Sequence, residues 1–193
     1  MPVSRQFHSL EPPGKAVAEI RLYNFRELQL TIAYQQLHEP SKIQRKLSKI
    51  KKIILIQGAN LTHLGKREPE IYGRTTPDEL NETLLDYARR RSFELEIFYT
   101  NVEGEAINRI YRCADQGFDG LVMNPAGFSY SGYALKDCIK GAGLPYVEIH
   151  ISNVAKRNIH CVLSEVSVGV ITGFGMYGYQ LALDAMLQHL DGT

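Results

Sequence analysis

At 193 residues the chain is long enough for one core-forming domain with a short appendage, and 22 basic against 21 acidic side chains leave no field that would draw it to nucleic acid or an anionic membrane. Hydrophobic residues make up 44%, a globular rather than a disordered composition, and the longest apolar runs fall far short of the ~18 residues of a membrane span. Cys113, Cys138 and Cys161 form an odd set without metal-ligand spacing, and no His, Cys or Asp grouping of the zinc or calcium type is present. Packing thiols in a reducing, cytoplasmic compartment and chemistry without metal or cofactor are therefore expected.

Residues 1–50 read as an extension. The opening MPVSRQFHSLEPP lacks the apolar core of a secretory signal, and Glu11 and Glu19 argue against a transit peptide. Pro12-Pro13-Gly14 breaks any early element. Between residues 24 and 37, Phe25, Leu28, Leu30, Ile32 and Leu37 fall near helical spacing, and Pro40 closes that helix. Lys42, Arg45, Lys46, Lys49, Lys51 and Lys52 follow as a basic cluster. A solvated helical face leading into the first strand is favoured over a contact for an anionic partner.

From residue 51 onwards strands and helices alternate. The apolar run 53–56 predicts a buried strand, and residues 57–73 a long loop. A helix is expected over 76–90, with Thr75 or Thr76 as its cap, acids in its first turn and Arg89, Arg90 and Arg91 at its far end. A strand at 93–99, a helix at 103–116, a strand at 120–123 and a helix at 131–141 come next. Strands at 146–149 and 166–172 precede a last helix from 177 to about 190. Strands joined by helix-length crossovers give an α/β fold, a parallel sheet with helices on both faces. Gly173-Phe174-Gly175-Met176-Tyr177-Gly178 matches GxGxxG, but a dinucleotide site needs a further strand bearing an acid about 20 residues on, and this sequence ends at Thr193. The match reads as a tight strand-to-helix turn, not a nicotinamide or flavin site.

In such a sheet the working groups gather beyond the carboxyl ends of the strands. Asn60, Arg67 and Tyr72 lie on the loop after the first strand, Asn124 follows the third, and His150 and Ser152 follow the fourth. A cation beside a tyrosine favours its phenolate, so an Arg–Tyr pair on a loop can supply a base. A surface loop with a solvated arginine and a half-buried tyrosine fits the same spacing.

Five segments taken together go further. Residues 57–73 (QGANLTHLGKREPEIYG), Asn124-Pro125-Ala126-Gly127, Ala134-Leu135-Lys136-Asp137, Glu148-Ile149-His150-Ile151-Ser152-Asn153 and residues 169–183 (GVITGFGMYGYQLAL) stand in the order found in type II 3-dehydroquinate dehydratases. The chain resembles that family over roughly residues 51–190. The resemblance implies a flavodoxin-like, doubly wound, five-stranded parallel sheet of order 2-1-3-4-5. It implies dehydration of 3-dehydroquinate to 3-dehydroshikimate through an enolate, with a cyclic hydroxy/keto acid as partner and no cofactor, metal, nucleic acid or membrane. It also implies a homo-oligomer built on trimers, up to a dodecamer. By motif, Tyr72 is the base with Arg67 beside it, Asn60 helps stabilise the enolate oxygen, and His150 is the acid, its tautomer set by Glu148. Asn124 would bond substrate hydroxyls, Ile151 and Ser152 would receive the substrate carboxylate, and Asp137 would lie near the pocket and a subunit contact.

Three positions depart from the family pattern. Tyr130 stands where a substrate-binding histidine is expected. In Arg157-Asn158-Ile159-His160-Cys161-Val162-Leu163-Ser164, Cys161 takes the place of an arginine that clamps a substrate hydroxyl, with His160 one position earlier. A thiol offers one weak donor where a guanidinium offers a fork of several. Ala59 replaces a proline at the loop start. An acid–base set with an altered clamp also fits a lyase or isomerase acting on another hydroxylated cyclic keto acid, or a non-catalytic binding or assembly protein.

Overall fold

Positions 53–56 and 121–123 are uninterruptedly apolar because their strands are covered on both faces: every one of these side chains has 0% exposure. The computed structural model describes residues 50–192. The extension expected over residues 1–50, with its helix and most of its basic cluster, lies outside the described residues except for its last position, Ile50. The strands are β1 (Lys52–Ala59), β2 (Glu94–Tyr99), β3 (Gly120–Ala126), β4 (Tyr146–His150) and β5 (Gly169–Thr172). Between and after them run α1 (Pro77–Arg91), α2 (Glu103–Asp115), α3 (Tyr133–Ala142) and α4 (Tyr177–Gly192). All strand pairs are parallel and the order is β2-β1-β3-β4-β5, the expected doubly wound arrangement.

Alternation along the strands divides the core in two. Ile53, Leu55, Val122, Val147 and Ile149 pack with Leu80, Leu84, Tyr179, Ala182 and Leu183 of α1 and α4. Ile54, Ile56, Leu121, Met123 and Tyr146 pack with Ala106, Ile110, Leu135, Cys138 and Ile139 of α2 and α3. α1 starts where expected. Thr76 Oγ1 accepts from the Glu79 amide, and the Glu79 carboxylate accepts from the Thr76 amide, a reciprocal cap followed by Pro77.

Two strands run three residues further than expected, β1 to Ala59 rather than Ile56 and β3 to Ala126 rather than Met123. Gln57 pairs with Tyr99 and Asn124, so two polar residues belong to the sheet. Gly58 passes so close to β3 that a Cβ there would sit 2.2 Å from the Pro125 carbonyl oxygen, and only glycine fits. A 3₁₀ turn over Ser164–Val166 delays β5 to Gly169, and another over Gly127–Tyr130 delays α3 to Tyr133. The last glycine of the GxGxxG match, Gly178 in the first turn of α4, serves packing, since a Cβ there would lie 2.7 Å from Ile149 Cδ1. Among the described residues no helix is long and apolar enough to cross a membrane.

Candidate active site

The carboxyl ends of β1, β3 and β4 open into a cavity of about 170 Å³. Asn60, Arg67 and Tyr72 line it from the loop after β1, Asn124 from β3, and His150, Ile151, Ser152 and Arg157 from β4 and its following loop. Tyr130, 63% exposed, completes the rim from the turn after β3. Elements far apart in sequence thus meet at one crevice, as the strand-end placement predicts.

Behind this cavity lies a saturated carboxylate. Glu148 is fully buried on the α2/α3 face of β4. Its Oε1 accepts from His150 Nε2 at 2.8 Å and Ser164 Oγ at 2.5 Å, and its Oε2 from the Tyr146 hydroxyl at 2.9 Å and Cys161 Sγ at 3.2 Å. Burial pushes the Glu148 carboxyl up, but the hydrogen bonds from His150 and Ser164, the imidazole charge and Tyr146 outweigh it and hold it below its ordinary value. Burial and the Glu148 charge push the Tyr146 phenol and the Cys161 thiol up, so both remain protonated donors. His150 is buried along with them and spends Nε2 on Glu148, leaving Nδ1 for a ligand in the cavity it lines. Glu148, His150 and Cys161 bring potential metal-ligand atoms within 4.8 Å of one another. Four donors already occupy the carboxylate, and the thiol is held protonated, so the group is built as a hydrogen-bond hub around the imidazole.

The loop side differs. Asn60 adopts the left-handed region (φ 77°), and its amide donates to Asn101 Oδ1 at 2.7 Å. Glu68, also left-handed (φ 43°), starts a single helical turn over Pro69–Tyr72. That turn brings the half-buried Tyr72 to the loop after β4. There Arg157 Nη1 donates to the Tyr72 hydroxyl at 3.0 Å and to Ser152 Oγ at 2.8 Å, with the guanidinium carbon 5.6 Å from the ring centroid. The bond to Tyr72 raises the Arg157 pKa further above its ordinary value, so its charge is permanent.

The family model described as Dehydroquinase class II matches residues 51–187. The chain belongs to the class II dehydroquinase family. It is 40% identical over 147 residues to the 3-dehydroquinate dehydratase of Polynucleobacter asymbioticus, covering 75% of this chain and 99% of that protein. It is 45% identical over 140 residues to that of Helicobacter hepaticus, covering 71% and 89%. The type II dehydroquinase from Butyrivibrio crossotus superposes with a TM-score of 0.69 at 34% identity, over 72% of this chain and 98% of that one. A 3-dehydroquinate dehydratase-like protein from Bifidobacterium longum gives 0.56 at 31% identity, over 75% and 100%.

Within this dehydroquinase-family site, two expected placements are corrected, those of Arg67 and Cys161. Arg67 lines the cavity, but its Nε bonds Glu68 at 3.1 Å, and Arg157 is the arginine on the Tyr72 hydroxyl. An adjacent carboxylate captures Arg67, whereas the helical turn presents Tyr72 to Arg157. Cys161 does not line the cavity: the small, uncharged thiol packs in the core with Val162 and Leu163 and turns its S–H to Glu148. Ile159 and Ser129 line the cavity nearby, and His160 is exposed outside it. Asp137 is exposed on α3 and stands away from this chain's own cavity, because helical spacing gives the buried face to Leu135, Cys138 and Ile139.

The Glu148–His150 bond is where the sequence placed it, but the other contacts that orient the site were missed. Tyr146 was findable, since positions 146, 148 and 150 share one face of a strand. Arg157 and Ser164 stand in the 157–164 segment that matches the family pattern, but nothing in that segment pointed to Tyr72 or Glu148 as their partners. Asn124 is itself held from within: its Nδ2 donates to the Tyr179 hydroxyl at 2.8 Å.

Proposed function

We propose that this chain is a 3-dehydroquinate dehydratase, a hydro-lyase that forms 3-dehydroshikimate and water by way of an enolate. The observation that carries the reading is one cavity holding both a guanidinium-bonded phenol and a carboxylate-backed imidazole. Removing a proton beside a ketone demands a placed base and stabilisation of the enolate oxygen. The Arg157 guanidinium, donating to the Tyr72 oxygen, is arranged to stabilise negative charge there, and Arg67 adds positive charge to the same wall. Tyr72, acting as the phenolate, takes the proton and becomes the phenol, and Asn60 helps stabilise the enolate oxygen. As imidazolium, His150 keeps Nε2–H on Glu148 and gives its Nδ1 proton to the departing hydroxyl, while the Glu148 anion balances the charge. Backbone amides at Ile151 and Ser152 receive the substrate carboxylate, and Asn124 and Tyr130 bond ring hydroxyls.

The withdrawal of Cys161 from the cavity favours one second reading, a related lyase acting on another hydroxylated cyclic keto acid. The same assay separates the two. Purified full-length protein with 3-dehydroquinate should raise absorbance in the conjugated-enoate band, and Tyr72→Phe should not. A folded wild type that produces no such rise overturns the dehydratase and leaves the related lyase.

We also infer a trimer-based homo-oligomer, up to a dodecamer, in which the exposed Asp137 faces a neighbouring copy's site, and a cytoplasmic location in keeping with three free, buried cysteines. Sedimentation of the full chain measures the assembly, and a monomer at assay concentration contradicts it.

A further inference from the structure

On the α1/α4 face of the sheet, the apolar alternation Ile53, Leu55 ends at Gln57, and on the neighbouring strand Val122 is followed by Asn124. Gln57 and Asn124 are register partners across the β1–β3 pair, so their carboxamides point to the same side. Both are buried, at 0% and 3% exposure, and Tyr179 of α4, at 0%, bonds both. Asn124 Nδ2 donates to the Tyr179 hydroxyl at 2.8 Å, and that hydroxyl donates to Gln57 Oε1 at 2.9 Å. Burial pushes the Tyr179 phenol up, so it keeps its single proton.

A phenol has one hydrogen to give. Because Gln57 Oε1 takes it, the phenol oxygen has only acceptor capacity left for Asn124. Reversing the Asn124 carboxamide would set two oxygens face to face with no proton between them, at a depth where water is not available to repair the contact. With Gln57 Oε1 as the acceptor the chain of bonds has a direction, one that leaves Gln57 Nε2 buried without a hydrogen-bond partner among the described residues. It starts at the Gln57 oxygen, passes through Tyr179, and turns the nitrogen of Asn124 inward. What remains for the cavity that Asn124 lines is its Oδ1, an acceptor, and its second N–H.

We propose that Tyr179 is a positioning residue for ligand recognition: through Gln57 it locks the Asn124 carboxamide so that Oδ1 stands ready to accept from a ring hydroxyl of the substrate. The kinetic part of this proposal rests on the dehydratase reading; the polarity of the bond chain does not. It fixes where the site offers that acceptor to a ligand hydroxyl. It also explains why a polar triplet closes an otherwise apolar face of the sheet.

Two measurements decide it. Neutron diffraction from the ligand-free, full-length protein is expected to place the Tyr179 deuteron on the line to Gln57 Oε1 and an Asn124 Nδ2 deuteron on the line to Tyr179. The opposite polarity overturns the proposal whether or not the protein turns over 3-dehydroquinate. In steady-state assays, Tyr179→Phe is expected to raise KM about tenfold with kcat within about threefold, the loss of one ordinary hydrogen bond's worth of alignment. In an Asn124→Ala background the same change is expected to add nothing to KM. A Tyr179 that only fills the core would lower Tm without moving KM in the wild type, or would give additive KM effects in the cycle, and either result overturns the proposal. Gln57→Met removes the acceptor without touching α4. It is expected to reproduce the KM rise, and this keeps the test decisive if Tyr179→Phe does not fold.

Discussion

Glu148 accepts four hydrogen bonds behind the cavity and is sealed from solvent, whereas the Tyr72 hydroxyl in the loop takes one bond, from an exposed arginine. The first arrangement draws on one face of β4 and the segment before Ser164, where Tyr146, Cys161, Val162 and Leu163 share a core with α2 and α3. The second rests on a one-turn helix and two left-handed residues, Asn60 and Glu68. The acid end of the proposed reaction is thus assembled before a ligand arrives, and the base end sits where a loop can close over one. Such a division suits an enzyme that must admit a polar ring acid and then exclude water from the enolate.

Changes at the two ends should fail in different ways. Tyr72→Phe removes the base without disturbing the core. It is expected to lower kcat by about 10³-fold with Tm nearly unchanged, as measured by absorbance assay and thermal unfolding. Glu148→Gln should lower kcat by about 10²-fold and also destabilise by about 3 kcal/mol, because it leaves a buried set of donors without its anion. A Glu148→Gln protein as stable as wild type would show that the hub does not hold the fold. The hub also has a pH signature. Because the folded-state pKa of Glu148 lies below its ordinary 4.5, its stabilisation is present above that value and lost as pH falls below it. The Tm gap between wild type and Glu148→Gln should therefore narrow as pH falls below 4.5.

Smaller effects sharpen the contrast. Arg157→Lys keeps the charge but loses the planar fork that bridges Tyr72 and Ser152, and should lower kcat about tenfold with little change in Tm. Cys161→Ala removes the weakest of the four donors to Glu148 and should cost about 1 kcal/mol, or ~2–4 °C in Tm. Cys161→Ser, which restores a donor, should recover most of that loss.

The fold was legible because parallel strands covered on both faces leave continuous apolar runs, and because α1 announces itself with Thr76, Pro77 and Glu79. The end of β1 was not legible. Gln57 and Gly58 look like a turn, and only the approach of Pro125 shows why a glycine belongs in a strand there. The site was legible as a set of strand-end residues, and Asn60, Tyr72, Asn124, His150 and Ser152 do meet at one cavity. Of their partners, only Glu148 was: it was expected beside His150 and bonds its Nε2 at 2.8 Å. Arg157 reaches Tyr72 across 85 positions and Tyr179 reaches Gln57 across 122, separations at which no spacing rule operates. Cys161 was misplaced for a related reason. A motif assigns a position, but the side chain's chemistry decides which way it faces, and a thiol beside Val162 and Leu163 goes inward.

The division of labour between the two ends is tested most directly by solvent deuterium exchange at the carbon beside the substrate ketone, followed by NMR in two variants given 3-dehydroquinate. His150→Ala should exchange that proton while forming little product, because the base still works and only the departing hydroxyl lacks its acid. Tyr72→Phe should neither exchange nor form product. Exchange that persists in Tyr72→Phe, or vanishes in a folded His150→Ala, would contradict the assignment of base to the loop and acid to the buried hub.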